Sequence, residues 1–86
     1  METFRGRRNM PHVIVKLYPG RSEKQKQKLA EAIAKDIVTI AKCEDKSVSV
    51  AIEEIEKEDW AAKVYQPDIL NKKNCLYKKP GYNPSA

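Results

Sequence analysis

At 86 residues, 41% hydrophobic and 34% charged, the chain has room for one small domain, near the size at which a single core is marginal. No apolar run approaches the roughly 20 residues of a membrane span, and the first ten residues carry Arg5, Arg7 and Arg8 without the apolar stretch of a secretory signal. A cytoplasmic protein with no membrane partner is therefore expected.

The net charge of +5 fits an anionic partner, nucleic acid or a small carboxylate, or simply a solvated lysine surface. Only four of the 17 positive residues are Arg, which weakens the nucleic-acid case. Cys43 and Cys75 are the only cysteines, with no C-x-x-C and no clustered His. Neither a metal site nor a disulfide framework is indicated, and two reduced thiols are expected.

Residues 1–10 read as an N-terminal extension and 11–86 as the domain, with Met10 a candidate initiator. The pair Met10-Pro11 decides the chemistry open to the chain. If Met10 is the start and is removed, Pro11 presents a free secondary amine at the head of a strand, able to act as a general base near neutral pH. If residues 1–9 stay attached, the same nitrogen is an amide with no basic lone pair. Pro11 is then only a strand-initiating proline.

Residues 12–18 alternate, with Val13, Val15 and Leu17 on one face and His12, Ile14, Lys16 and Tyr18 on the other. Apolar groups on both sides predict a strand covered on both faces. Pro19-Gly20 supplies turn chemistry, and Ser22 with Gln25 three residues on predicts a capping box. Residues 23–42 form one amphipathic helix, with Leu29, Ile33, Ile37, Ile40 and Ala41 along one stripe. An exit loop at 43–46 leads to a second strand at 47–55. Beyond Ile55 the pattern predicts one short helix around 58–64 interrupted by Pro67, a loop at 71–74, and an extended or turning tail.

Strand, long helix and strand make a βαβ unit, which requires parallel strands and a right-handed crossover. The expected fold is α+β: a single βαβ unit with parallel strands and a long crossover helix, plus a short C-terminal helix and tail. Such a layer leaves a sheet face and two edges uncovered. The sheet is therefore expected to be completed by oligomerisation, as a homodimer or a higher assembly.

The run Pro11-His12-Val13-Ile14-Val15-Lys16, the joint Pro19-Gly20-Arg21-Ser22 and the strand Val48-Ser49-Val50-Ala51-Ile52-Glu53-Glu54 resemble the 4-oxalocrotonate tautomerase family. Trp60 and the tail Lys78-Lys79-Pro80-Gly81-Tyr82 look like its longer, PptA-like branch, so that the resemblance spans residues 10–82. It implies a keto–enol tautomerase that moves a proton without a metal or organic cofactor, acting on a 2-hydroxy-dienoate or arylpyruvate enol. By position the base is Pro11. Arg21 stands where the family holds a substrate carboxylate, and a guanidinium offers paired donors for that task; otherwise it is an ordinary solvated first-turn arginine. Trp60 stands at an aromatic wall of the pocket, or else in core or interface.

Ser49 departs from the better-known hexameric enzymes, which carry a second arginine there. A monocarboxylate enol, such as that of phenylpyruvate, then suits the chain better than a dicarboxylate. Ser49 can hydrogen-bond a substrate hydroxyl or be an outward strand serine. His12 follows the candidate base but reads as structural, and the four tyrosines show no spacing that argues for a shared site. Lys78, Lys79 and Tyr82 make a possible basic-aromatic patch for nucleic acid, though in the resembled branch this tail is structural. The alternative reading is a non-catalytic oligomeric module in which residues 1–10 block Pro11 and the scaffold binds an anion, nucleic acid or a protein.

Overall fold

Two parallel strands, β1 (His12–Leu17) and β2 (Ser49–Glu54), are joined by one long helix, α1 (Glu23–Ala41). This computed structural model describes residues 9–83. The Arg5, Arg7 and Arg8 cluster lies outside the described residues, as do positions 84–86. The strands pair in register from His12 opposite Ser49 to Leu17 opposite Glu54, and the Ile55 N–H extends the ladder by donating to the Leu17 carbonyl at 2.8 Å.

Directly paired residues of neighbouring strands share a face. Val13, Val15 and Leu17 therefore lie with Val50, Ile52 and Glu54, and His12, Ile14 and Lys16 lie with Ser49, Ala51 and Glu53. Helix α1 covers the first face. Its Lys26 reaches Glu23 at 2.9 Å and Glu54 at 3.2 Å, tying the start of the helix to the end of β2.

The predicted capping box is present. The Gln25 N–H donates to Ser22 Oγ at 3.1 Å, and the Ser22 N–H donates to Gln25 Oε1 at 2.9 Å. The helix stops one residue earlier than its apolar stripe predicts, because Lys42 takes the left-handed conformation at φ 59°. Strand β2 is also shorter than expected at its start. Asp45–Ser47 forms a 3₁₀ turn, with Ser47 Oγ donating to the Glu44 carbonyl at 2.8 Å.

The C-terminal third differs more from the sequence-based expectation. After a 3₁₀ turn at Lys57–Asp59, helix α2 (Ala61–Ile69) runs straight through Pro67 with π-type winding, and a 3₁₀ segment at Leu70–Cys75 replaces the expected loop. In an α-helix a proline ring collides with the carbonyl four residues back. The wider π turn, bonded five residues back, moves that carbonyl away and already dispenses with part of the ordinary ladder. The Leu70 N–H restores the connection by donating to both the Gln66 and Tyr65 carbonyls.

Helix α2 lies over the second sheet face and seats Val64, which with Cys43 is one of two buried hydrophobic residues among those described. Ile14 stays 48% exposed and Ile40 76% exposed. No described helix is long and apolar enough to cross a membrane.

One glycine has a backbone role. Gly20 sits at φ +126°, where an added Cβ would meet no neighbour yet the backbone itself resists any L side chain. Gly20→Ala is expected to cost about 1 kcal/mol, lowering the melting temperature by about 4–8 °C in a circular-dichroism melt. An unchanged melt would mean that the turn relaxes freely.

Candidate active site

At the carboxyl end of β1 the Pro19-Gly20 turn releases the chain toward α1, and a cavity of about 480 Å³ opens there, lined by Lys16, Leu17, Tyr18, Arg21, Trp60 and Tyr82. Three of these six residues are aromatic. The Trp60 ring meets Tyr18 edge-on, centroids 5.1 Å apart and planes at 90°. Trp60 Nε1 donates to the Tyr82 hydroxyl at 3.0 Å, and the Tyr82 ring lies 5.8 Å from Tyr65. Two ring contacts joined by one hydrogen bond thus link Tyr18, Trp60, Tyr82 and Tyr65.

Two cations border this cavity. Among the described residues no ion pair or side-chain hydrogen bond engages Arg21. Lys16 is matched: its Nζ lies 2.6 Å from Asp68 Oδ2, in a pair about 30% exposed on either side. The Asp68 hydrogen bond raises the Lys16 pKa above its ordinary 10.5, with Asp68 and Glu53 charges adding to it. Lys16 therefore stays charged through neutral pH, and its contribution is lost only as pH rises beyond the ordinary lysine value of 10.5. A second cavity of about 430 Å³ adjoins the first, sharing Lys16 and Trp60 and reaching Ile14, Val64 and Asp68.

Pro11 and Ser49 lie at the other end of the sheet. The Pro11 carbonyl accepts from the Ser49 N–H at 3.1 Å, and Ser49 Oγ is 2.6 Å from His12 Nδ1. Ser49 thus grips the start of β1 twice, once through its backbone and once through its hydroxyl. Met10, directly before Pro11, takes φ 55° and is exposed.

The structure brings Arg21 together with Trp60, and Pro11 together with Ser49. It does not bring the two pairs together within one copy. Seven residues of extended chain from Pro11 to Tyr18, at about 3.3 Å each, put roughly 20 Å between them. Sequence reasoning missed Lys16, Tyr18 and Tyr82. Lys16 and Tyr18 carried a usable signal, since they alternate onto the same strand face. Tyr82 carried none, because its partners are distant in sequence.

Comparison with known proteins decides the family. A family profile described as "Tautomerase enzyme" matches residues 11–65, and a probable tautomerase of Xylella fastidiosa is 42% identical over 77 residues, covering 90% of this chain and 94% of its own. The chain belongs to the tautomerase family. Within it the chain falls in the PptA-like branch: Tautomerase PptA of Enterobacter sp. strain 638 is 43% identical over 75 residues, covering 86% of this chain and 99% of its own. The tautomerase fold is shared with the crystal structure of YwhB, a homologue of 4-oxalocrotonate tautomerase. That match has a TM-score of 0.57 at 30% identity, over 69% of this chain and 98% of YwhB. The family match opens on Pro11, the residue at the head of β1.

Proposed function

We propose that the chain is a cofactor-independent keto–enol tautomerase whose base is Pro11 as a free amino-terminal amine, with residues 1–10 absent from the working enzyme and 11–86 forming the domain. The amine takes the enol O–H proton, leaving an enolate. The oxygen electrons form the carbonyl as the C=C electrons take the proton back from the prolinium at carbon, and the amine is regenerated. Arg21 holds the substrate carboxylate, and Trp60 walls the apolar side. The observation that carries this reading is Arg21, unpaired in an aromatic cavity of a tautomerase-family chain.

The separation of Pro11 from Arg21 then requires two copies. If β1 of one copy pairs antiparallel with β1 of another about a local two-fold axis, pairing centred on Val15 keeps each face together and sets Ile14 opposite Lys16, His12 opposite Tyr18 and Pro11 opposite Pro19, beside Arg21. Adjacent strands lie about 4.8 Å apart. Pro11 of each copy would then stand at the mouth of the other's Arg21 cavity, and two sites would form per dimer. The same pairing would close the free β1 edge, which otherwise invites uncontrolled association. Sedimentation giving a single 10 kDa species at all concentrations would end this part of the proposal.

Ser49 supports Pro11 in this scheme by holding the strand from which the amine projects. With serine there in place of a second arginine, the site suits enols bearing one carboxylate, such as that of phenylpyruvate. Ser49→Ala removes one hydrogen bond and is expected to lower kcat by about threefold with KM little changed. A rise in KM instead would assign the hydroxyl to substrate.

The reading is tested by intact mass of the protein made from its native gene context, followed by ketonisation of phenylpyruvate enol and 2-hydroxymuconate. A mass of 11–86 with no turnover of either enol would remove it. A mass retaining residues 1–9 would leave the binding-module reading.

A further inference from the structure

Of the six residues lining the Arg21 cavity, Tyr82 alone comes from the tail, beyond the last helical segment. Its hydroxyl oxygen accepts from Trp60 Nε1, and its ring touches Tyr65. Even so, Tyr82 remains 48% exposed, so much of its surface is open to the cavity and to solvent. A phenol oxygen that accepts one hydrogen bond keeps its own O–H to donate. The Trp60 indole is in turn fixed between the Tyr18 ring and that oxygen.

We propose that Tyr82 is the specificity-determining residue of this cavity, selecting enol carboxylates with an aryl side chain over those with an alkyl one. Tyr18, Trp60 and Tyr82 line the cavity beside Arg21. Aromatic walls favour a further ring through edge and face contacts, beyond the area that an alkyl chain would bury equally well. Tyr82 acts twice, as one wall and as the acceptor that orients Trp60. The inference rests on the tautomerase reading for the reacting end of the substrate, but selection of the side chain can be observed without any reaction.

The test compares binding of 3-phenylpropanoate and of hexanoate, followed through Trp60, the single Trp of the chain, on protein beginning at Pro11. In the wild type the aryl ligand is expected to bind about tenfold tighter. Tyr82→Leu should reduce that ratio to about twofold, and raise KM for phenylpyruvate enol with kcat nearly unchanged. Tyr82→Phe keeps the ring but frees the indole N–H; the ratio should fall about threefold and the Trp60 emission should shift.

An unchanged ratio in Tyr82→Leu, or a wild type that does not discriminate, would overturn the inference. If the leucine variant does not fold, the phenylalanine variant decides, and unchanged ratio and emission overturn it. Ligand preference that collapses in Tyr82→Leu in a protein without tautomerase activity would uphold this inference while the catalytic reading falls. Turnover with an unaltered preference would mean the reverse.

Discussion

Tautomerase turnover is expected to be at least about a hundredfold higher in protein beginning at Pro11 than in the chain that keeps residues 1–10, the usual worth of a positioned general base. In the longer chain the Pro11 nitrogen is an amide whose lone pair is delocalised into the carbonyl of Met10. In the shorter chain it is a secondary amine. An exposed α-amine titrates at about 7.7–8. If Pro11 stands over the Arg21 cavity of a second copy as proposed, the guanidinium repels the prolinium and the aromatic walls desolvate it. Both disfavour the charged form, so the pKa moves down toward neutrality. In the proposed mechanism the free base is the active form. Activity should therefore rise with pH through a midpoint below that of an ordinary α-amine, and fall away on the acid side.

Two comparisons check the assignment. Arg21→Ala should move the midpoint upward, because one source of repulsion is gone. Pro11→Ala leaves a primary amine, so the rate should fall without vanishing and the profile should shift. Equal turnover in both chain lengths, or a Pro11→Ala profile that superimposes on the wild type, would remove Pro11 as the base.

The parts of the fold that sequence predicts well are those set by neighbours along the chain. The Ser22 and Gln25 box needs only three residues of spacing, and alternation at 12–18 needs only a strand. Both stand in the structure within a residue. The start of helix α2 was read from the sequence, but its continuation past Val64 was hidden because proline is read as a breaker of α-winding, and Pro67 is housed in a different winding. The aromatic chain was hidden for another reason. Tyr18, Trp60 and Tyr82 meet only after α2 has crossed the second face of the sheet and the tail has returned, and no local period encodes that path. The distance from Pro11 to Arg21, by contrast, was legible from the start. A six-residue strand followed by a turn cannot fold the two back on each other, although the sequence reading expected a second copy only from the uncovered sheet face and edges.

Arg21→Ala is expected to lower kcat/KM for phenylpyruvate enol by about a hundredfold, the equivalent of losing one paired, charge-assisted contact to a carboxylate. Much of the loss should lie in KM, since the carboxylate is bound before and during proton transfer. Arg21→Lys should recover only part of it, because an ammonium lacks the planar fork. The composite geometry gives this variant a sharper use. Arg21→Ala protein beginning at Pro11 has the base but no anion contact, whereas the chain retaining residues 1–10 has Arg21 but no base. Each alone should be nearly inactive. Refolded together in equal amounts, half of the dimers should be mixed, and each mixed dimer holds one site combining the free amine of one copy with Arg21 of the other. The mixture should then recover roughly a quarter of wild-type turnover. A site contained within one copy predicts no recovery at all, because no copy in the mixture holds both groups.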